Sequence, residues 1–204
     1  GGTPLFRPIL DVLKPEMVGR DPADREWLWR RLDILGQRKG MSFAAWAPLD
    51  VALWDITGKM AGLPIYKLLG AQRESVDVYA TFPPRHETPE GYVGEAEQLL
   101  SEGFKAYKIH PGVMATADVI EMVTRVRKTV GDGYPLMLDP NNGYQYREAY
   151  EIGRTLDKLS FHWYEDPVPW DMFDSIIELS SRLETPLCMS DIAEFRFREA
   201  AHFV

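Results

Sequence analysis

The spacing of apolar residues changes character near residue 75. Before it, apolar positions recur every three or four residues, the period of a helix with one buried face. The stretch "DPADREWLWRRLDIL" (21–35) opens on an Asp-Pro helix-start signal, and "FAAWAPLDVALWDITGKMAG" (43–62) predicts a second, more apolar helix. "LPIYKLLGA" follows, and Gly62 and Gly70 fall where helix C-terminal caps are expected. No strand-like alternation occurs before residue 75.

From residue 75 short β-branched and aromatic runs alternate with helical stretches. "SVDVYATF" is the first run, followed by a helix over "TPEGYVGEAEQLLSEG". The strands "KAYKIH", "YPLMLD", "FHWYED" and "TPLCMSD" come next, separated by helices over "ATADVIEMVTRVRKTVG", "YQYREAYEIGRTLDKL" and "WDMFDSIIELSSRLE". A further helix is expected to begin in "EFRFREAAHF". Five strand–helix alternations at a period of 25 to 30 residues predict an α/β fold with parallel strands and helical crossovers. A doubly wound sheet and a (β/α) barrel both satisfy that pattern. The loop "ATFPPRHETPEG" is not the G-x-G-x-x-G of a dinucleotide-binding sheet, and no phosphate-binding G-x-x-x-x-G-K-[ST] occurs. Varied loops after strands that end in polar residues suit a TIM-type (β/α) barrel, whose site is assembled at the C-terminal strand ends. Five units do not close eight strands, so the barrel is expected to be incomplete in this chain. The expected division is residues 1–73, helical, and 74–204, the first five βα units.

Composition narrows the partners. The 204 residues are 45% apolar and 26% charged, as in soluble globular proteins. A net charge of −8 argues against a general nucleic-acid binder. No apolar run is long enough for a membrane span. The start "GGTPLFRPIL" lacks signal-peptide features and an initiator Met, so the chain is expected to begin inside a longer protein. Cys188 is the single cysteine, which excludes an intrachain disulfide and fits a cytoplasmic protein.

The candidate chemistry lies at the strand ends. Asp139 in "LMLDP", Glu165 in "WYEDP" and Asp191 in "CMSDI" each follow the last by 26 residues. Carboxylates converging on one barrel mouth repel one another, and a divalent cation resolves the conflict. Hard oxygen ligands with positions left open for water and substrate suit Mg2+. On the strand before them, Lys108 and His110 are two apart and share a face. A lysine charge and an imidazole beside a metal are suited to removing a proton next to a carboxylate. Each residue alone has a plainer reading: a lone strand-end acid is more often a turn residue, and Asn141 after "DP" is by default a turn former. Asp55 and Lys59 are four apart and can simply pair on a helix. Trp163 and Trp170 read as packing residues. The joint occurrence of three equally spaced acids and Lys-x-His carries the functional reading.

These stretches resemble the enolase superfamily, in its mandelate racemase and muconate lactonizing branch. "AAWAPLDVALWDITGKMAGLPIYKLLGA" resembles the helical part of that branch's α+β capping domain, and "GFKAYKIH", "LDPNNGY", "WYEDP" and "TPLCMSD" resemble its second to fifth barrel strands. The resemblance covers roughly residues 40–192. It implies that Asp139, Glu165 and Asp191 bind one Mg2+, that Lys108 matches the first lysine of the family's Lys-x-Lys element, and that Asn141 matches the Asn two past the first ligand. His110 stands where the second lysine, often a base, is usual. Asp191 after Ser190 stands where Glu after Gly is usual, and Glu194 is the fallback ligand. The implied activity is Mg2+-dependent removal of the proton α to a carboxylate through an enediolate. Acid-sugar dehydration is the first choice; racemisation, epimerisation and cycloisomerisation are alternatives. A small-molecule carboxylate substrate and a homo-oligomer are expected. The rival from another class is a scaffold or binding protein whose site has drifted. A phosphate-handling barrel is disfavoured by the lack of a Gly-rich phosphate loop near residue 192.

Overall fold

The computed structural model describes residue 7, residues 9–41 and residues 45–190. Asp191, Glu194 and the helix expected over 194–203 lie outside the described residues. The chain divides into two compact units, residues 1–76 and 77–204. Among the described residues no helix is long and apolar enough to cross a membrane.

The described part of the first unit is helical. A π-helical turn, Ile9–Leu13, runs into a short α-turn, Lys14–Met17, which apolar periodicity from residue 21 onward does not announce. Helix α1 spans Arg25–Lys39 and α2 spans Ala47–Ala61. Helix α1 starts later than the Asp-Pro signal suggests. The Asp21 carboxylate accepts the Ala23 backbone N–H at 2.8 Å, a local turn that competes with helix entry. Pro48 sits in the first turn of α2, where its missing N–H costs nothing. Gly40 and Gly62 close the two helices at φ of 62° and 64°, a left-handed conformation that a Cβ would strain. Leu13, Leu32 and Trp46 form the buried centre, with Met17, Trp29 and Leu49 packed around it.

The second unit is a parallel sheet in consecutive order: β1 (Ala80–Thr81), β2 (Tyr107–Ile109), β3 (Leu136–Leu138), β4 (Trp163–Glu165) and β5 (Leu187–Cys188). The crossovers carry α3 (Pro89–Glu102), α4 (Thr116–Val130), α5 (Tyr146–Lys158) and α6 (Phe173–Arg182). A doubly wound sheet reverses strand order at its centre, and these strands do not reverse. Their order is that of consecutive strands of a (β/α) barrel.

Strand parity sorts the side chains. Tyr107, Ile109, Leu136, Leu138 and Tyr164 join the core formed with the helices, around Val123, Ile152 and Leu179. Lys108, Met137 and Glu165 alternate with them and take the opposite face, as the two-residue period of a strand requires.

Register corrects one step of the spacing argument. Leu138 pairs with Tyr164, so Asp139 is level with Glu165 across an offset of 26 residues. Tyr164 pairs with Leu187, an offset of only 23, and Glu165 pairs with Cys188. The crossover through α6 is shorter than the one through α5. Equal sequence spacing is therefore not by itself equal height: Cys188 is the β5 residue level with Glu165.

Candidate active site

The turn after β3 answers why an apolar strand ends on a carboxylate. Asp139 Oδ1 accepts the Asn141 backbone N–H at 3.0 Å, so the side chain shapes its own turn. Asn141 and Asn142 then take left-handed conformations, φ 54° and 59°, which asparagine tolerates better than most residues. That bend lets the Asn142 N–H donate to the Asp166 carbonyl at 2.7 Å, tying the β3 tip to the β4 tip. Asp139 is a turn former through one oxygen, and its other oxygen faces the neighbouring strands.

Lys108 occupies the space between the two level acids. Its Nζ donates to Asp139 Oδ2 at 2.9 Å and to Glu165 Oε1 at 2.7 Å. All three side chains are largely buried. Burial alone would push the Lys108 ammonium down, but the hydrogen bonds it donates to Glu165 and Asp139 outweigh it and hold the group above the ordinary lysine range. Burial likewise opposes ionisation of Glu165, yet hydrogen bonds from Lys108, Trp163 and Ser190 hold its carboxyl below the usual value. Lys108 therefore remains a fixed positive charge and Glu165 a fixed negative one at neutral pH.

The strand parity that turns Glu165 inward also turns Trp163 inward. Its indole Nε1 donates to Glu165 Oε2 at 2.8 Å. Tyr79 packs edge-on against that indole at 5.5 Å between centroids, and its ring lies 5.9 Å from Lys108 Nζ. Ser190 Oγ donates to Glu165 Oε1 at 2.8 Å and reaches Asp166 Oδ2 at 2.6 Å. The Ser190 backbone N–H donates to Asp166 Oδ1 at 2.9 Å. Asp166 takes φ 39° to make this turn, and its own N–H donates to the Cys188 carbonyl at 2.9 Å.

The structure thus brings Lys108, His110, Asp139, Asn141 and Glu165 to one cleft of about 330 Å3, with Ser190 on the β5 side. Thr81, Phe82 and Pro83 supply its β1 wall. Asn141 Nδ2 lies 3.4 Å from His110 Nε2, and an amide N–H directed at that nitrogen requires a neutral imidazole. Three residues escaped the sequence reading: Trp163, Asp166 and Ser190. Parity could have found Trp163, two residues before Glu165. Asp166 and Ser190 were hidden as direct neighbours of acids already chosen.

Asp139, Glu165 and Asp166 bring carboxylate oxygens within 4.8 Å of one another, a donor set of hard oxygens that fits a divalent cation. Each carboxylate has about four lone-pair directions, so the contacts above leave capacity for a metal.

A family model described as "Enolase C-terminal domain-like" matches residues 91–203, and one described as "Mandelate racemase / muconate lactonizing enzyme, N-terminal domain" matches residues 6–70. The chain is 33% identical over 194 residues to an arabinonate dehydratase of Saccharolobus solfataricus, covering 93% of this chain and 52% of the relative. It is 34% identical over 188 residues to an L-talarate/galactarate dehydratase of Salmonella typhimurium, covering 90% and 47%. The crystal structure of an L-talarate dehydratase from Polaromonas sp. JS666, complexed with Mg and L-glucarate, superposes with a TM-score of 0.82 at 31% identity, covering 94% of this chain and 55% of that one. The chain spans about half the length of the curated relatives it matches. By both of its matched regions, the chain belongs to the mandelate racemase/muconate lactonizing enzyme branch of the enolase superfamily.

Proposed function

We propose that the full-length protein is a Mg2+-dependent enzyme that removes the proton α to a carboxylate, and that its reaction is the dehydration of an acid sugar. The observation that carries this reading is the cleft itself. A buried ammonium bridges two level carboxylates, and an imidazole lines the same space. Asp139, Glu165 and Asp191 are the proposed Mg2+ ligands. Asp166 accepts the Ser190 backbone N–H and is assigned to holding the β5 tip. The chemistry expected from a bound Mg2+ is Lewis-acid polarisation of the substrate carboxylate.

The residues divide the remaining tasks. Lys108 donates to both acids and is assigned to stabilising negative charge on the carboxylate oxygens. His110 is assigned to take the α-proton at a ring nitrogen. The electrons of the broken C–H bond pass into the carboxylate, giving an enediolate. In a dehydration the β-carbon–oxygen bond then breaks and the hydroxyl leaves as water after gaining a proton. Asn141 is assigned to orienting His110 and contacting substrate hydroxyls. The dehydratase names of the two relatives support this outcome over reprotonation, which would give a racemase or epimerase.

The test is solvent deuterium incorporation at the α-carbon across a panel of aldonates and aldarates, with Mg2+ and the full-length protein. Loss of water accompanying exchange supports dehydration; exchange alone supports an epimerase. His110→Asn should slow exchange by about 10^2–10^4. Wild-type protein that binds Mg2+ but exchanges no acid sugar would refute the reading.

A further inference from the structure

Glu95 lies on α3, away from the cleft, with a side chain only 3% exposed. Its carboxylate accepts the Arg85 Nε–H at 2.6 Å and the Tyr107 hydroxyl at 2.5 Å, and sits 2.9 Å from His86 Nε2. Burying a carboxylate is costly unless its partners compensate. Those partners come from two places. Arg85 and His86 belong to the loop between β1 and α3, while Tyr107 is the neighbour of Lys108 on β2. Burial first, and the hydrogen bond to Glu95 second, hold the Tyr107 phenol protonated far above its usual range, so it stays a donor to Glu95.

The loop is pinned at further points. The Arg85 guanidinium stacks 3.8 Å from the Phe82 ring centroid, and Phe82 and Pro83 form the β1 wall of the cleft. The His86 ring meets Tyr92 edge-on at 5.0 Å and lies so close to α3 that a Cβ at Gly91 would fall 2.5 Å from His86 Cγ. The Tyr92 hydroxyl is 3.3 Å from the His86 carbonyl and 3.4 Å from that of His110. A Cβ on Gly112, already at φ +66°, would meet Pro84 at 3.2 Å.

We propose that Glu95 is a positioning residue for substrate recognition. By clamping Arg85 and His86 to Tyr107, it fixes the Phe82–Pro83 wall relative to the strand that carries Lys108 and His110. The functional part rests on the proposed acid-sugar chemistry. The wall is apolar and stands beside the charged floor formed by Lys108, Asp139 and Glu165. It therefore limits the size and pose of the part of the acid sugar remote from its carboxylate. Loosening the wall weakens substrate binding and leaves the proton-transfer groups in place.

The experiment uses full-length Glu95→Gln and Arg85→Met. Arg85 is 43% exposed, so its variant decides the matter if Glu95→Gln fails to fold. In both, amide hydrogen exchange over residues 82–88 should accelerate by at least about tenfold while β3 and β4 keep their protection. With the acid sugar best turned over by the wild type, KM should rise by about tenfold and kcat should change by less than about threefold. Mg2+ affinity, measured by calorimetry with the metal alone, should stay within about twofold. Phe82→Ala should raise KM by itself, and Glu95→Gln should add little on top of it. Unchanged loop exchange in both variants overturns the proposal. So does a fall in kcat at constant KM, or full additivity with Phe82→Ala. Should the wild type bind Mg2+ and turn over no acid sugar, the functional reading fails, and loop exchange alone decides whether Glu95 is the clamp.

Discussion

Lys108 reaches both Asp139 and Glu165, and a single change there separates two roles. Lys108→Met removes the charge that stabilises developing negative charge but also removes a cation competing for the acids. Exchange at the α-carbon should fall by roughly 10^2–10^3, while Mg2+ binding at pH 7 holds or tightens. A parallel loss of both would mean that Lys108 builds the metal site. Asp139→Asn should do the reverse at the metal, weakening Mg2+ by at least about tenfold to 100-fold. The pH signs follow from the same contacts. Glu165 is depressed below 4.5, so its contribution to stability is complete above that value and is lost as pH falls through the depressed one. Lys108 is raised above 10.5, so its contribution is complete below that value and is lost only as pH rises through the elevated one. Neither group titrates between about pH 5 and 9. An inflection of the exchange rate in that window belongs to neither of these two groups.

Elements with one buried face were legible because their apolar spacing is fixed by geometry. Helices α3, α4 and α5 fall inside the stretches their periodicity predicts. The helical segment Ile9–Met17 was not legible, since two short turns carry too few apolar repeats to show a period. Strands were found by composition, but their inward-facing positions had to be read by parity, and Trp163 was lost to a packing reading for that reason. The acids at the strand tips were legible as types, while register was not: nothing in the residues announces that the α6 crossover is three residues shorter than the α5 crossover. In the first unit, Leu53 is buried on α2 whereas Asp55 pairs at 2.6 Å with Lys59 on the exposed side. Leu53→Ala should cost about 2–5 kcal/mol in chemical denaturation. Asp55→Asn should change stability by less than about 0.5 kcal/mol and leave exchange intact, and lost turnover in a folded Asp55→Asn protein would give α2 a catalytic part.

Across the second unit, the two ends of the sheet carry different tasks. The C-terminal strand ends hold Lys108, Asp139 and Glu165. The N-terminal ends are held by Arg127, whose guanidinium donates to the carbonyls of Leu159, Gly131, Tyr134 and Ser160 at 2.6–3.3 Å. These carbonyls lie past the C-termini of α4 and α5 and just before β3, so one side chain joins two helix ends to the entrance of a strand. Burial pushes Arg127 below the ordinary arginine value, a cost that the four acceptors offset. Arg127→Met keeps the apolar stem and takes the side-chain donor away from all four carbonyls, which should cost about 2–5 kcal/mol. The site should not feel it directly, because Asp139 and Glu165 draw no contact from Arg127 among the described residues. Mg2+ at about 100 times its Kd should therefore add the same increment, about 2.7 kcal/mol, to the wild type and to Arg127→Met. Thermal unfolding with and without Mg2+ measures both quantities in one series. A smaller increment in Arg127→Met would show that the strand tips lean on this distant clamp, and that the metal site and the base of the sheet form one cooperative structure.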